Sequence, residues 1–447
     1  MKTKFLLVAG LMFVSLGYAQ KQWSLKECVD HAVTNNITVQ QNALNVELAE
    51  INVKDAQGNF LPDLNANTGN SFNFGSGFDP ISQNRVNTSF FGGNININSG
   101  ITIFNGFRNL NVYKQAQLGV ERSKLTLEDI QNDVSLLVVN GYLNILFAKE
   151  NLNAAKVQAQ ISKKQVEAAQ ERFDAGFIPK GDLLNSKSTA VQDQQNVITQ
   201  ENTLTIALLN LAQLLQISAE GFDVQSIDVG KPNGVLLYEN SNMVYEKAVL
   251  SQPQIKNAEL GIENSKYDIN IARSRFLPTL SGSLFMSSNY AYDLKDGTVR
   301  IGSTLNDVLF RQINENLGYG VGIRLDIPIF NRLQTKNNLD RQFVNLEISK
   351  ATLENEKLQL QQTIEQAYVD TKAAVKAYEA AKISYEAQQE AFKNAQESYR
   401  LGASTLFDFD LVRTRLVNAQ ATLIRNKYDF VFKTKVLQFY YGELNLD

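Results

Sequence analysis

The feature that most constrains this chain is an internal duplication: from Ile103 onward the sequence repeats at a constant shift of 226 residues, without a gap. Ile103-Phe104-Asn105 returns as Ile329-Phe330-Asn331, and the stretch from Glu121 to Glu128 returns from Glu347 to Glu354. Tyr142 returns as Tyr368, Gly176 as Gly402 and Asp182 as Asp408. Upstream the shift is 216, with Phe60-Leu61-Pro62 recurring as Phe276-Leu277-Pro278 and Ala32-Val33 as Ala248-Val249. A repeat of this length means two equivalent supersecondary units that bury surface against each other. The reading is a first repeat over residues 20–230 and a second over 231–447.

Residues 1–19 read as a secretory signal peptide, with Lys2 and Lys4, an apolar run from Phe5 to Leu16, then Gly17-Tyr18-Ala19. No Cys follows the expected cleavage point, so lipid attachment there is not expected. Without the signal the chain has 41 Lys+Arg (43 minus 2) against 46 Asp+Glu, a balance that argues against nucleic acid as a partner. One cysteine, Cys28, and one histidine, His31, make no disulfide framework and too few ligands for a metal cluster. They are expected to pack inside a short helix. No nucleophile or acid–base pair stands out, so neither an enzyme nor a cofactor is expected.

After the signal no apolar run approaches the ~18 residues a membrane helix needs. Between the Phe-Leu-Pro and Ile-Phe-Asn signposts of each copy, however, lie stretches of period-two alternation. In Asn94 to Phe104, Ile95, Ile97, Ile101 and Ile103 oppose Asn94, Asn96, Asn98 and Thr102. In Gly318 to Ile329, Tyr319, Val321, Ile323, Leu325, Ile327 and Ile329 oppose Gly318, Gly320, Gly322, Arg324 and Asp326. These read as strands with an oily exterior and a wet interior, and the alternation places Arg324 and Asp326 on the inner face, lining a lumen or pairing with each other. Partner strands are expected over 64–74 and 280–292, separated from the first set by polar, Gly-rich loops at about 75–93 and 293–317. Phe72, Phe74, Tyr290 and Tyr292 near their ends suit an interfacial aromatic girdle. A half-buried soluble hairpin has the same pattern. Four strands cannot close a barrel in lipid, where an unpaired edge is not tolerated. A barrel built from them has to be shared between chains, and three chains leave room for a passage.

Helical hairpins are expected over about 106–217 and 331–441. Phe330 to Leu401 contains neither Gly nor Pro, and one helix of that length would run roughly 100 Å at 1.5 Å per residue. Tyr378, Tyr385, Phe392 and Tyr399 recur every seven residues, a stripe for coiled-coil contact. Both hairpins turn at a Gly, Gly176 or Gly402.

The duplication, the paired signposts and the tip sequences together resemble the TolC-like outer membrane efflux proteins, over essentially the whole chain. The resemblance implies a mainly α chain with a membrane β-barrel: four strands per chain in a shared trimeric 12-stranded barrel, continued by a long α-helical coiled-coil barrel into the periplasm. It implies an exit duct of a tripartite efflux system in the outer membrane, a homotrimer working with a periplasmic adaptor and an inner-membrane pump. The alternatives are the outer-membrane component of type I protein secretion and an exported coiled-coil scaffold. By the same resemblance the tips Gly176, Phe177, Ile178, Pro179 and Gly402, Ala403, Ser404, Thr405 contact the adaptor. Asp182 and Tyr399 match gate positions and Asp408 a ring carboxylate. Ser404 stands where the family has an Arg and Leu411 where it has a second carboxylate, leaving Arg400 or Asp410 as substitutes. Asp182 and Asp408 have a second possible role as caps of the return helices.

Overall fold

A computed structural model describes residues 22–79, 83–226, 237–293 and 305–443. The expected signal peptide lies outside these residues. The first copy comprises β1 (Gln22–Trp23), α1 (Leu25–Asn35), α2 (Ile37–Gly58), β2 (Asn65–Asp79), β3 (Asn84–Asn105), α3 (Arg108–Asp174), α4 (Lys180–Leu214) and β4 (Asp223–Val224). The second comprises α5 (Ser241–Ser251), α6 (Pro253–Ser274), β5 (Thr279–Asp293), α7 (Leu305–Glu315), β6 (Gly318–Asp326), α8 (Gln334–Arg400) and α9 (Leu406–Tyr441). The shifts of the sequence reappear in these bounds: α5 and α6 begin and end 216 residues after α1 and α2, and α8 begins and ends 226 after α3.

The signposts are the junctions between helix and strand. Phe-Leu-Pro ends α2 and α6, where the N–H of Leu61 donates to the Gly58 carbonyl at 2.9 Å and that of Leu277 to Ser274 at 3.0 Å. The proline that follows cannot continue a helix. Ile-Phe-Asn opens the next helix: the Asn105 side chain accepts from the Asn109 N–H at 3.2 Å, and Asn331 from Thr335 at 3.4 Å. Between Asn and helix, two residues take left-handed φ in each copy, Gly106 (65°) and Phe107 (65°), then Arg332 (56°) and Leu333 (63°).

The chain divides into two compact units, each drawing on both copies. One holds the sheet, whose strands run β2-β3-β5-β6, all antiparallel, with β2 and β6 as edges. Register keeps the two faces apart. Leu280, Leu284 and Met286 lie opposite Leu325, Val321 and Tyr319, whereas Thr279, Ser281 and Ser283 lie opposite Asp326, Arg324 and Gly322. Asn65 and Asn67 oppose Asn98 and Asn96, and the Asn96 amide donates to Asn67 at 3.0 Å. Phe72 packs on Phe91, and Phe91 on Tyr290, at ring separations of 4.8 and 6.2 Å.

The expected loops require correction. Residues 75–79 and 84–93 continue β2 and β3, because their backbone pairing persists to Asp79 and Asn84. In the second copy the amphipathic α7 occupies part of the expected loop, and β6 ends at Asp326 rather than Ile329, just ahead of Pro328, which has no N–H for the ladder. Since β6 pairs with β5 only up to Ser287, the rest of β5 finds other partners. The Gln312 amide accepts from the Ala291 N–H at 2.8 Å and donates to its carbonyl at 2.9 Å, and Asn316 donates to the Asn289 carbonyl at 2.7 Å. Side-chain amides thus stand in for a strand, as strand backbone requires a partner when water is excluded.

The other unit is helical and carries the main core. Tyr142, fully buried, donates to the carbonyls of Gln225 (2.8 Å) and Trp23 (3.2 Å), and Lys149 meets Asp223 at 2.6 Å, which pins the parallel pair β1–β4. Burial pushes the Tyr142 hydroxyl well above its usual range, with nearby acidic groups adding to the shift. Its repeat partner Tyr368 likewise donates to a loop carbonyl, that of Glu239, at 2.7 Å. Cys28 is buried in the same core, and His31 meets Trp23 edge-on at 5.1 Å. No described helix is long and apolar enough to cross a membrane, a statement about helices alone.

Candidate functional site

The two hairpin tips share one backbone plan. After α3, the Gly176 N–H donates to Phe173 at 2.9 Å and the Phe177 N–H to Arg172 at 2.8 Å; after α8, Gly402 donates to Tyr399 at 3.1 Å and Ala403 to Ser398 at 2.8 Å. Both glycines have left-handed φ, 78° and 75°. This double bond pattern closes a helix C-terminus and needs a residue without a Cβ penalty.

The return helices begin differently. Thr405 caps α9 with its side chain, accepting from the Asp408 N–H at 3.2 Å, while the Asp408 carboxylate accepts from the Thr405 N–H at 3.3 Å and hydroxyl at 2.6 Å. Asp408 therefore does serve a cap. At the matching place α4 has Pro179, which has no side-chain acceptor, and the Asp182 N–H donates to the Pro179 carbonyl instead. Asp182 is not a cap here.

Tyr399 sits between an aromatic and a cation. Its ring stacks on the buried Phe409 at 5.2 Å, which also meets Phe392 at 5.6 Å, and the Arg172 guanidinium lies 5.2 Å from the Tyr399 ring centre. Burial raises the Tyr399 hydroxyl above its usual range; Arg172 pulls it back, and Asp182 and Asp410 push it up again. The structure thus brings Tyr399, Asp182 and Asp410 into one electrostatic neighbourhood. A cleft of about 470 Å³ opens beside Tyr399, lined by Lys164, Arg172, Gln396, Tyr399 and Phe409 among others.

The cations at this tip are not those the sequence suggested. Arg400 is paired with Glu397 one turn back on its own helix at 2.8 Å, and the Ser404 hydroxyl is buried with no hydrogen-bond partner among the described residues. Arg413, 8% exposed, instead bridges α9 to α4, meeting Asp193 at 2.8 Å and Asp410 at 3.6 Å. Burial lifts the Asp410 carboxyl, Arg413 lowers it and Asp193 raises it, with the net shift upward. Sequence reasoning missed Arg172, Arg413 and Asp193. Their signal was faint: Arg413 and Asp193 are charged residues inside helical stretches, and spacing alone does not reveal a partner 220 residues away.

Large apolar side chains stand free at the tips. Phe177, Leu401 and Phe407 are 77%, 70% and 76% exposed. At the sheet, Arg324 and Asp326 share the polar face as expected, and no ion pair joins them among the described residues.

Comparison with known proteins gives the family of the chain. The outer membrane protein TolC of Escherichia coli is 20% identical over the whole of this chain and 87% of its own length. The pyoverdine export outer membrane protein OpmQ of Pseudomonas aeruginosa is 24% identical, covering 72% of this chain and 65% of that protein. The Campylobacter jejuni CmeC outer membrane channel superposes with a TM-score of 0.74 at 18% identity, covering 95% of this chain and 86% of that one, a likeness of fold. A family model described as Outer membrane efflux protein matches residues 28–215 and 244–443, nearly all of both copies, and this chain belongs to that family, as an efflux channel of the outer membrane.

Proposed function

We propose that the chain works as a homotrimer in which three four-stranded sheets close one 12-stranded β-barrel, continued into the periplasm by a barrel of its long helices. The observation that carries this reading is the sheet itself. Among the described residues no strand lies beyond its edges β2 and β6, and the apolar side chains of β6 are open, with Tyr319 82%, Val321 80% and Ile323 75% exposed. Such edges are incompatible with hydrocarbon unless other strands cover them.

In this reading the duct receives cargo from an inner-membrane pump through a periplasmic adaptor and conducts no chemistry of its own. The adaptor meets Phe177 with Gly176, Ile178 and Pro179 on one tip, and Gly402, Ala403, Ser404 and Thr405 on the other. The exposed Phe177, Leu401 and Phe407 support an apolar contact there. Asp182, Tyr399, Asp408 and Asp410 form the periplasmic gate. Three copies bring like carboxylates together about the axis, which favours cations at a narrow place. Arg324 and Asp326 line the lumen of the barrel.

The test is single-channel recording in a planar bilayer, with Asp408→Asn beside Asp408→Ala because the amide can still accept from the Thr405 N–H. A cation preference that weakens in both variants is the expected result. A well-folded trimer without conductance even when the adaptor is added would overturn the duct, and a selectivity unchanged in both variants would remove Asp408 from the gate.

A further inference from the structure

The duplication supplies a template for the seam between copies. Inside the chain, the last strand of copy one, β3, pairs with the first strand of copy two, β5. We infer that β6, the last strand of copy two, pairs with β2 of a second copy of this chain in the same register, carried over by the two repeat shifts. This deepens the trimeric reading above and rests on it.

Phe-Leu-Pro lies just ahead of β2 and β5, while Ile-Phe-Asn closes β3 and follows β6; the pairs carried over are those of β3 before the register shift between Thr102 and Phe104. Residues of β3 move by the shift of the Ile-Phe-Asn motif to β6, and residues of β5 by the shift of the Phe-Leu-Pro motif to β2. The observed pairs Ile95↔Ser288 and Gly93↔Tyr290 become Val321 opposite the partner's Phe72 and Tyr319 opposite the partner's Phe74. Asn94↔Asn289 and Gly100↔Ser283 become Gly320 opposite the partner's Asn73 and Asp326 opposite the partner's Asn67.

This register passes a check it did not have to pass. A one-residue slip would set every side chain of β6 against the wrong face of β2. Instead the apolar Tyr319 and Val321 meet Phe72 and Phe74, which lie on the apolar face by their pairing with Phe91 and Ser89. Gly320 and Asp326 meet Asn73 and Asn67 of the polar face. The four apolar side chains are among the most open of the sheet, with Phe72 and Phe74 65% and 72% exposed. Cross-strand aromatic and β-branched pairs are the favoured contacts of a sheet, and these two prolong the run Phe72, Phe91, Tyr290 around the barrel.

The seams differ at one level. Within the chain Gly106 approaches the other copy so closely that a Cβ there would lie 2.7 Å from the Ser274 carbonyl oxygen. Arg332 holds the matching place in copy two and carries a Cβ, so its backbone has to stand farther from the partner's Gly58.

Disulfide trapping tests the register in the full-length protein, in a Cys28→Ala background in outer membranes. In one chain β2 and β6 are three inter-strand spacings apart, about 14 Å, too far for a disulfide, so any bond formed joins two chains. Val321→Cys with Phe72→Cys, and separately Asp326→Cys with Asn67→Cys, are expected to give covalent trimers on non-reducing gels. Val321→Cys paired with Asn70→Cys or with Phe74→Cys is expected to give none, because diagonal neighbours are too distant. Trapping at either slipped pair, or at none of the four in a protein that light scattering shows to be trimeric, overturns the register and leaves the trimer standing. A detergent-extracted protein with the mass of one chain overturns the trimeric reading itself.

Discussion

The two copies reach the same backbone with different side chains, and the differences show where each is held. At the left-handed turn before the long helix, copy one uses Gly106, wedged against Ser274 and Leu277, whereas copy two tolerates Arg332. At the start of the return helix, copy one has Pro179 without a side-chain cap and copy two a reciprocal Thr405–Asp408 box. About two turns farther on, Lys187 of copy one makes an exposed bond to Gln170 at 3.2 Å, while its counterpart Arg413 is buried between Asp193 and Asp410. At the end of that helix Gln216 (φ 59°) matches Gly442 (φ 83°). Backbone conformation is thus common property of the duplication, and its stabilisation is local to each copy.

The largest difference between the copies is expected at the buried pair. Asp193→Ala is expected to cost about 3 kcal/mol, since it leaves Arg413 buried with the longer Asp410 contact. Lys187→Ala should cost under ~1 kcal/mol. Thermal unfolding followed by circular dichroism, with hydrogen exchange at the tips, reads both, and equal losses would remove the asymmetry. Next comes Gly106→Ala, which adds left-handed strain of about 1–2 kcal/mol to an overlap with Ser274 and Leu277. Arg332→Ala should be near neutral in the same assay. Thr405→Ala is expected to lose about 1 kcal/mol of helix stability, and Pro179→Ala less, because only the first removes a cap bond.

The smallest effect concerns pH. Asp410 has its carboxyl raised by burial, and Leu184 stands at its place in copy one. A raised carboxyl favours the protonated folded form, so its contribution is complete below the ordinary value of 3.8 and is lost as pH climbs through the folded value. Asp410→Asn should flatten that dependence, detectable as tip protection that no longer falls over this range. An unaltered profile would assign the dependence to another group.

Much of this was legible in the chain because it rests on local chemistry repeated twice. Tyr142 and Tyr368 recur because each ties a loop carbonyl to a long helix. The signposts recur because Pro ends a helix and Asn opens one. The stripe Tyr378, Phe392, Tyr399 packs on α9, as its seven-residue period indicated. The strand ends were misplaced for an equally physical reason. Gly- and Ser-rich residues at 75–93 have the composition of a loop, and their extension depends on a partner strand whose register no local pattern encodes.

The duplication, the alternating faces of the strands, the long helices and the glycine turns at their tips can all be read along the chain, since they follow from periodicity and backbone preference. It takes packing to bring Arg413 to Asp193 and Arg172 over Tyr399, to make Asp408 a cap where Asp182 is none, and to complete β5 with α7. Those contacts join residues far apart in the chain, and a side chain's partner is set by which helices pack together rather than by its neighbours in sequence.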